Sequence, residues 1–365
     1  MYRSEYRRSF DVYLFVLPII IFCIGLFFLY SASRGMQEIK GINFTARQVT
    51  WFFLSVAIAF VVANIDFRRF LDWSYLYYFL IVALLITILF IGGARMGAKR
   101  WLSIGGFTLQ PSEFAKLALI MTIAHYLGNN RYSSRSIKIF FSALIMTAFV
   151  FILIFKEPDL GGALALLPIL FAILIASDIP LGYILGSLIL GVLSSPLLWY
   201  VMKDYQKRRL LVFLNPNMDP LGAGYTIIQS KIAIGSGGIF GKGWMSGTQN
   251  QLNFLPERHT DFIFSVVGEE WGFVGCLLVI LLFSLLIFRV LQVAGRTNDY
   301  KGKLVVVGIA AMLSFQMIVN IAMTAGFMPV VGLPLPLISY GGSSLITTWI
   351  AIALVINVDM RRTIF

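Results

Sequence analysis

The sequence predicts an all-α polytopic membrane protein, with about ten transmembrane helices and a large structured extracytoplasmic loop. Three observations predict this class. Apolar residues fill 59% of the 365 positions and only 13% are charged, against about 25% in an ordinary soluble domain. The mean hydropathy is +0.85. The polar residues are too few to cover the surface of a soluble globular protein of this size. The high apolar content excludes a disordered chain, and a count of only two Cys excludes a disulfide-stabilised scaffold.

Ten apolar runs approach the length of about 20 residues that a helix needs to cross a bilayer. They cover residues 12–32, 48–65, 74–92, 113–128, 138–155, 160–177, 182–201, 264–289, 304–325 and 338–358. We expect Gly161-Gly162 and Pro168 to interrupt the sixth run. The whole chain, 1–365, is treated as a single membrane domain that contains 202–261 as its long loop.

Lys and Arg are distributed unevenly between the connecting segments. Fourteen lie in segments on the same side as the N-terminus, and seven lie in the short loops opposite. The long loop is not counted, because long loops cross the membrane largely regardless of charge. The positive-inside rule therefore predicts that both termini are cytoplasmic and that 202–261 is outside.

The first polar cluster lies between the third and fourth runs. Arg100 and Trp101 fall in a predicted loop, and Gln110-Pro111-Ser112-Glu113 is an ordinary helix start. Lys116 is unusual, because a cation in the first turns of a helix opposes the helix dipole. Glu113 lies three residues earlier on the same face. We expect the two to pair in the interior, either as a structural ion pair or as the lining of a polar cavity.

The long loop contains turn signals, a helix and a glycine-rich run. Asn215-Pro216 and residues 219–222 predict turns, and the spacing of apolar residues over 225–234 predicts a helix. The glycines of 235–243 either form plain turns or present N–H groups to an anion. Candidate cations for a phosphorylated ligand are Arg208, Lys231 and Lys242.

The second polar cluster lies where the long loop enters the eighth run. Asp261 either caps the following helix or is a carboxylate placed to take a proton, beside Arg258 and His259. A third cluster, 329–344, holds Pro and Gly that a regular spanning helix excludes. Irregular backbone at membrane depth is tolerated only in protein or beside a wet cavity. A helix that starts near Ser343 would direct its positive end at that site.

Other chemistry is absent from the sequence. Two His and two Cys, far apart, cannot form a zinc site. No P-loop or dinucleotide motif is present, and the basic residues show no pattern of nucleic-acid recognition. An energy-requiring reaction must therefore use an activated substrate.

Taken together, these motifs resemble the SEDS family of bacterial peptidoglycan glycosyltransferases, over nearly the whole chain. The resemblance is carried by residues 99–102, 110–116, 157–161, 219–225, 229–238, 255–261 and 334–344. Residues 229–238 are similar to the elongation, or RodA, branch. The resemblance implies a multi-pass protein of the bacterial plasma membrane that acts in cell elongation and rod-shape maintenance.

The resemblance also implies a substrate and site residues. Lipid II would be polymerised into glycan strands at the outer leaflet, with release of undecaprenyl pyrophosphate. Asp261 matches the essential aspartate of the family, and Glu113 and Lys116 match its polar pair. A class B penicillin-binding protein, a transpeptidase, is the implied partner besides membrane lipids, and a divalent cation, Mg²⁺ or Mn²⁺, is an implied cofactor.

Chemistry and resemblance together suggest a mechanism. Asp261 would accept the proton of the acceptor 4-hydroxyl, and positive charge would stabilise the leaving pyrophosphate. The cations considered are Lys116, Arg100, Arg208, Lys231, Lys242 and Arg258. Two alternatives stay open: a flippase for the same lipid, and a scaffold that only recruits the transpeptidase.

Overall fold

A computed structural model describes residues 11–361, except 42, 92, 96–97, 105–106, 134–135, 195, 197–198, 201, 203, 221 and 223. Most of the chain is helical. The helices are α1 Val12–Lys40, α2 Phe44–Asn64, α3 Phe67–Asp72, α4 Ser74–Ile91, α5 Pro111–Asn129, α6 Ile137–Lys156, α7 Leu160–Ala176, α8 Leu181–Leu193, α9 Asp204–Leu214, α10 Tyr225–Ser236, α11 Thr248–Gln251, α12 Ile263–Arg296, α13 Tyr300–Ala325 and α14 Gly342–Met360.

A helix overlaps each of the ten predicted runs. Within the described residues, six helices are long and apolar enough to cross a membrane, which makes the chain a multi-pass membrane protein: α1, α2, α6, α12, α13 and α14. The seventh run is only partly covered by α8. The expected interruption of the sixth run was wrong, because Gly161 and Gly162 lie in the first turn of α7 and that helix continues through Pro168.

The core is arranged around α14. In its apolar window 89% of the residues are buried, against 22% in α2, which packs along it. α14 is therefore central and α2 peripheral. The buried apolar residues of α5, α7, α12 and α13 complete one continuous cluster.

The segment that holds Arg100 and Trp101 was predicted as a loop and is instead a small antiparallel sheet. Its strands are β1 Gly93–Arg95, β2 Ala98–Ile104 and β3 Phe107–Leu109, in the order β1-β2-β3. Trp101 pairs with Gly93, and Leu102 pairs with Leu109. The overlooked signal is the pair Gly105-Gly106 between two short runs, which is typical of a hairpin.

The helix α12 is broken at Gly272, where φ is 63° and ψ is −154°. The glycine-rich run fills the break with four backbone hydrogen bonds. Phe273 N donates to Gly238 O over 2.9 Å and Val274 N to Ile239 O over 3.1 Å; Lys242 N and Gly243 N donate to Glu269 O and Glu270 O, each over 3.0 Å. We call this set of four bonds the α12 clasp.

Glycine is required at the clasp because the two backbones touch. A Cβ on Gly241 would lie 2.1 Å from Glu270 O, and one on Gly272 would lie 2.4 Å from Gly241 N. The amides of Lys242 and Gly243 are bonded to the helix, so these two N–H groups do not form an anion site.

The third polar cluster is irregular, as predicted. α13 ends at Gly326 in a left-handed conformation, with φ 78°. No regular helix forms over 327–341, and α14 begins at Gly342, directly before Ser343. The positive end of α14 is therefore directed at this unwound segment.

Candidate active site

Asp261 lies in a tight turn directly before α12. The N–H groups of Thr260, Asp261 and Phe262 all donate to Glu257 O, over 3.1, 3.1 and 3.3 Å. The N-cap of α12 is Phe262, and no side chain caps that helix. The capping alternative for Asp261 was therefore wrong, which leaves its carboxyl group for other chemistry.

The Asp261 turn is fixed to the unwound segment at three points. Ser339 Oγ donates to Thr260 O over 2.6 Å, and Tyr340 N donates to His259 O over 2.9 Å. Asn320 Nδ2, on α13, donates both to Asp261 O over 2.9 Å and to Leu333 O over 2.7 Å. The second and third polar clusters therefore form one site.

Glycine also lets the unwound segment approach the carboxyl group. Gly332 has a φ of 73°, and a Cβ there would lie 3.4 Å from Asp261 Oδ2. A side chain at this position would sit against the carboxylate in a strained backbone conformation.

The surroundings of Asp261 favour its neutral form. Its pKa is raised to about 6, because desolvation, then Glu257 and Asp159, outweigh Arg209 and Arg100, which lower it. The residue as a whole is partly exposed. A carboxylate with a pKa near neutrality is suited to general base catalysis.

Arg100 joins the sheet to the corner between α6 and α7. Its Nε donates to Glu157 O over 3.2 Å, its Nη2 donates to Pro158 O, and its Nη1 lies 3.9 Å from Asp159 Oδ1. These contacts hold the guanidinium group in the electrostatic surroundings of Asp261.

Asp159 caps α7 and organises the start of α5. Its Oδ1 accepts from Gly162 N over 3.0 Å, and its Oδ2 accepts from Ser112 Oγ over 2.8 Å and Gln110 Nε2 over 3.0 Å. This carboxylate is therefore satisfied by hydrogen bonds from three residues.

Glu157 differs from its neighbour. Its side chain is 1% exposed, and neither carboxyl oxygen has a hydrogen-bond partner among the described residues. Burial, and then Asp159, raise its pKa to about 8, while Arg100 opposes them. The Glu157 carboxyl group is therefore mostly protonated at pH 7.

The expected pair on α5 is present. Lys116 Nζ lies 2.7 Å from Glu113 Oε1, and the two residues are 0% and 4% exposed. Such a pair is stable only while both partners are present, since removal of one leaves a buried charge. Ser112, in the same first turn, connects the pair to Asp159.

The remaining candidate cations are held by other partners. Arg208 pairs with Asp219 over 2.8 Å. Lys242 pairs with Glu269 over 3.0 Å, and Glu269 also accepts from Gln249 N and Asn250 N, so it caps α11.

Arg258 and Lys231 likewise contact protein groups. Arg258 is 2% exposed, and its guanidinium donates to Ala32 O over 2.7 Å and to Asn253 Oδ1. Lys231 lies across Gly326, where an added Cβ would be 2.8 Å from its Nζ. That position places its charge at the carbonyl end of α13, where the helix dipole favours a cation.

Two further predicted residues, His259 and Ser343, position parts of the site, and a third, Trp101, lies on the sheet. The His259 ring packs against Phe44, with 4.9 Å between ring centroids, and against Tyr340 at 6.0 Å. Ser343 Oγ accepts from Gln110 N over 3.0 Å and so joins α14 to α5. Trp101 is partly exposed on β2.

Sequence reasoning missed four residues near Asp261. Glu157 and Asp159 were noted only as part of a motif, and Arg209 and Asn320 were not singled out. The polarity of Asn320 inside an apolar run could have indicated it. Arg208 and Arg209 are adjacent, and the sequence offers no signal that distinguishes them.

Comparison with known proteins identifies relatives along the whole chain. A family model for cell cycle proteins, FtsW/RodA/SpoVE, matches residues 11–364. The peptidoglycan glycosyltransferase MrdB of Escherichia coli K12 is 40% identical over 338 residues, which cover 92% of this chain and 89% of MrdB.

Two solved structures are similar as well. One belongs to a study of the structural coordination of polymerization and crosslinking by a peptidoglycan synthase complex, with a TM-score of 0.81, 35% identity and coverage of 96% of this chain and 98% of that chain. The rod shape determining protein RodA of Thermus thermophilus has a TM-score of 0.72 and 30% identity, with coverage of 98% and 99%.

Proposed function

The chain belongs to the FtsW/RodA/SpoVE family and is a peptidoglycan glycosyltransferase, and from this premise we propose that it polymerises lipid II with Asp261 as the general base. The observation that carries the proposal is the position of Asp261. Its carboxyl group is desolvated and feels the charges of Arg100 and Arg209, and its backbone is fixed to the unwound segment through Asn320.

The reaction follows from this arrangement. Asp261 accepts the proton of the acceptor 4-hydroxyl as its oxygen attacks the anomeric carbon of the lipid-linked donor. The bond from that carbon to the pyrophosphate oxygen breaks, and the electron pair leaves with undecaprenyl pyrophosphate. The guanidinium groups of Arg100 and Arg209 stabilise the negative charge that develops. One displacement inverts the configuration, so an α-linked donor gives a β-linked strand.

We also propose the membrane arrangement that places this site at the outer leaflet. The chain would cross the plasma membrane ten times, which is supported by a helix in each of the ten predicted runs. Both termini would be cytoplasmic and 202–261 extracytoplasmic, which is supported by the distribution of Lys and Arg. Activated lipid II then supplies the energy of the reaction on that side.

A class B penicillin-binding protein is the proposed partner, supported by the relative in a peptidoglycan synthase complex. A divalent cation, Mg²⁺ or Mn²⁺, is proposed as additional charge on the pyrophosphate. No three His, Cys, Asp or Glu side chains converge as ligands in the described part of the chain. Such an ion would be held by one or two carboxylates, water and the substrate's own phosphates, as is usual for Mg²⁺.

The test is a polymerisation assay with the purified full chain and lipid II, alone and with the partner. Asp261→Ala and Asp261→Asn should each lose at least about 100-fold in rate, the scale of a lost general base. The control is Asp178→Asn, which makes the same exchange at an exposed residue and should be as active as wild type. Asp178 has a φ of 59°, a backbone conformation that Asn tolerates. Polymer formed at wild-type rates by both Asp261 variants would exclude the proposed base.

A further inference from the structure

A cavity of about 160 Å³ lies between α9, α10 and the start of the unwound segment. Its lining residues are Arg209, Val212, Thr226, Ile227 and Val330. Val212 and Ile227 are each 3% exposed, so the walls are fixed apolar side chains. Arg209 is the one charged residue among the five.

Arg209 connects this cavity to the active site. Its Nη1 donates to Val330 O over 3.2 Å, and Val330 is two residues before Gly332, which approaches the Asp261 carboxyl group. The Arg209 charge also acts on Asp261. A ligand anion at Arg209 would therefore lie both at the cavity and within the electrostatic surroundings of Asp261.

The preceding residue has a different environment. The Arg208 side chain is 65% exposed, and its Nη2 lies 2.8 Å from Asp219 Oδ2. Only Arg209 lines the cavity. The two arginines therefore form a natural matched pair, with the same charge on the same helix and different neighbours.

Size and polarity limit what the cavity holds. A cavity of about 150 Å³ with apolar walls accepts a molecule as large as benzene, so about 160 Å³ accepts a branched group of five carbons. A disaccharide is too large and too polar for it. The donor carries one such group next to its pyrophosphate, the first isoprenyl unit of the lipid.

We propose that this cavity binds the isoprenyl unit next to the pyrophosphate and that Arg209 binds the pyrophosphate itself. The inference rests on the proposed function and adds to it a donor subsite. Lipid and sugar then lie on opposite sides of the phosphates, which directs the anomeric carbon toward Asp261. When the bond to that carbon breaks, the product remains anchored by its first isoprenyl unit and by Arg209.

The test is direct binding of undecaprenyl pyrophosphate and of inorganic pyrophosphate to the purified full chain in detergent. Val212→Phe fills the cavity, and Leu211→Phe makes a comparable enlargement at a neighbouring residue that is 41% exposed. Val212→Phe should weaken binding of the lipid at least about fivefold and leave binding of inorganic pyrophosphate unchanged, because filling the cavity leaves the apolar carbons of the isoprenyl unit in water. Leu211→Phe should change neither.

Arg209→Ala should weaken the binding of both ligands about tenfold or more, which is the scale of a lost hydrogen bond to a charged group. Arg208→Ala should bind both ligands within twofold of wild type. Arg209→Lys should recover part of the binding, since it keeps the charge without the planar guanidinium. Excess phosphatidylglycerol should not displace the prenyl pyrophosphate. Displacement would indicate a general anionic-lipid site and would overturn the assignment.

Equal losses for Val212→Phe and Leu211→Phe, or for the two Arg→Ala variants, would also overturn the inference. Gel filtration confirms that each variant is folded. Polymerisation by wild type and its loss in Asp261→Asn are measured in parallel. If those two results hold while the binding pattern fails, the donor subsite is wrong and the proposed function stands.

Discussion

At the scale of the residue, the site depends on how five charged groups are combined. Asp261 and Arg209 both contact the unwound segment, at Gly332 and at Val330 O, and Arg100, Asp159 and Glu257 complete the electrostatic surroundings of Asp261. Because burial and two carboxylates outweigh two arginines, the Asp261 pKa is raised to about 6. A base with this pKa is mostly ionised at pH 7 and still holds a proton well enough to accept one.

The first prediction is an acid limb in the rate of polymerisation. A protonated Asp261 cannot accept the hydroxyl proton, so kcat/KM should fall about tenfold per pH unit below pH 6. Glu257→Gln removes a like charge that raises the Asp261 pKa, so the limb should move to lower pH. Polymerisation rates measured from pH 4.5 to 8 with lipid II give the pH of the acid limb for wild type and for Glu257→Gln. The control variant Asp178→Asn should show the limb at the wild-type pH. A limb at the same pH in Glu257→Gln would contradict the electrostatic account.

The partner and role of a side chain could be predicted from the sequence only where that partner is a near neighbour in the chain. The Glu113–Lys116 pair follows from helical spacing alone and is confirmed. The role of Asp159 could not be predicted, because its partners Ser112 and Gln110 lie 47 and 49 residues away. The choice between Arg208 and Arg209 depends on the rotation of α9 against a distant segment, which no local pattern encodes.

At the scale of the element, the α12 clasp determines how the long loop is held. An unbroken helix would bond Phe273 N to Glu269 O and Val274 N to Glu270 O. The break exchanges these bonds for four bonds to the glycine-rich run, so the N–H groups of Phe273 and Val274 and the carbonyls of Glu269 and Glu270 all keep a partner. The long loop is thereby fixed to the helix that follows Asp261.

The second prediction concerns this clasp. Gly272→Ala places a Cβ 2.4 Å from Gly241 N at a φ of 63°, and such strain costs about 1–3 kcal/mol. The variant should unfold several degrees below wild type in detergent and polymerise lipid II more slowly. Gly295→Ala, in the same helix with open space around it, should be neutral or slightly more stable.

Thermal unfolding and the polymerisation assay measure the two effects together. Equal unfolding temperatures for both glycine variants would mean that the clasp contributes little to the fold.

Elements were predictable where a long pattern specifies them. The apolar runs located a helix for each of ten windows, and the Pro and Gly of 329–344 located the unwound segment. The sheet was missed because its strands have three, seven and three residues, too few for a clear alternation of polar and apolar positions. The clasp was missed because its bonds join residues of the loop to residues of the helix that are 27 or 35 positions away in the chain.

At the scale of the whole molecule, burial separates a central helix from peripheral ones. α14 is enclosed, whereas α12 exposes a row of large apolar side chains that begins at Phe273, directly after the break. α12 has 34 residues, and the 24 that follow the break at Gly272 are about 36 Å long, against about 30 Å of hydrocarbon. Its enclosed first part and its exposed second part are divided at the clasp.

The third prediction is the side of the membrane on which each connection lies. In a chain with Cys23 and Cys276 replaced, we expect an impermeant maleimide to label Leu252→Cys in intact cells. Tyr132→Cys and Arg296→Cys should be labelled only after the membrane is opened. All three positions are exposed, so access to the reagent decides the outcome. The parent chain without Cys gives the background, and labelling of Tyr132→Cys in intact cells would contradict ten crossings.

The double hydrogen bond of Asn320 has a consequence for inhibition. One amide group holds the carbonyl before α12 and the carbonyl of Leu333 at the same time, so the two segments cannot separate without breaking it. A small molecule bound between them would displace the proposed base, Asp261, without resembling lipid or sugar. A compound of that kind would act through the fold of the site and would not have to compete with a substrate for it.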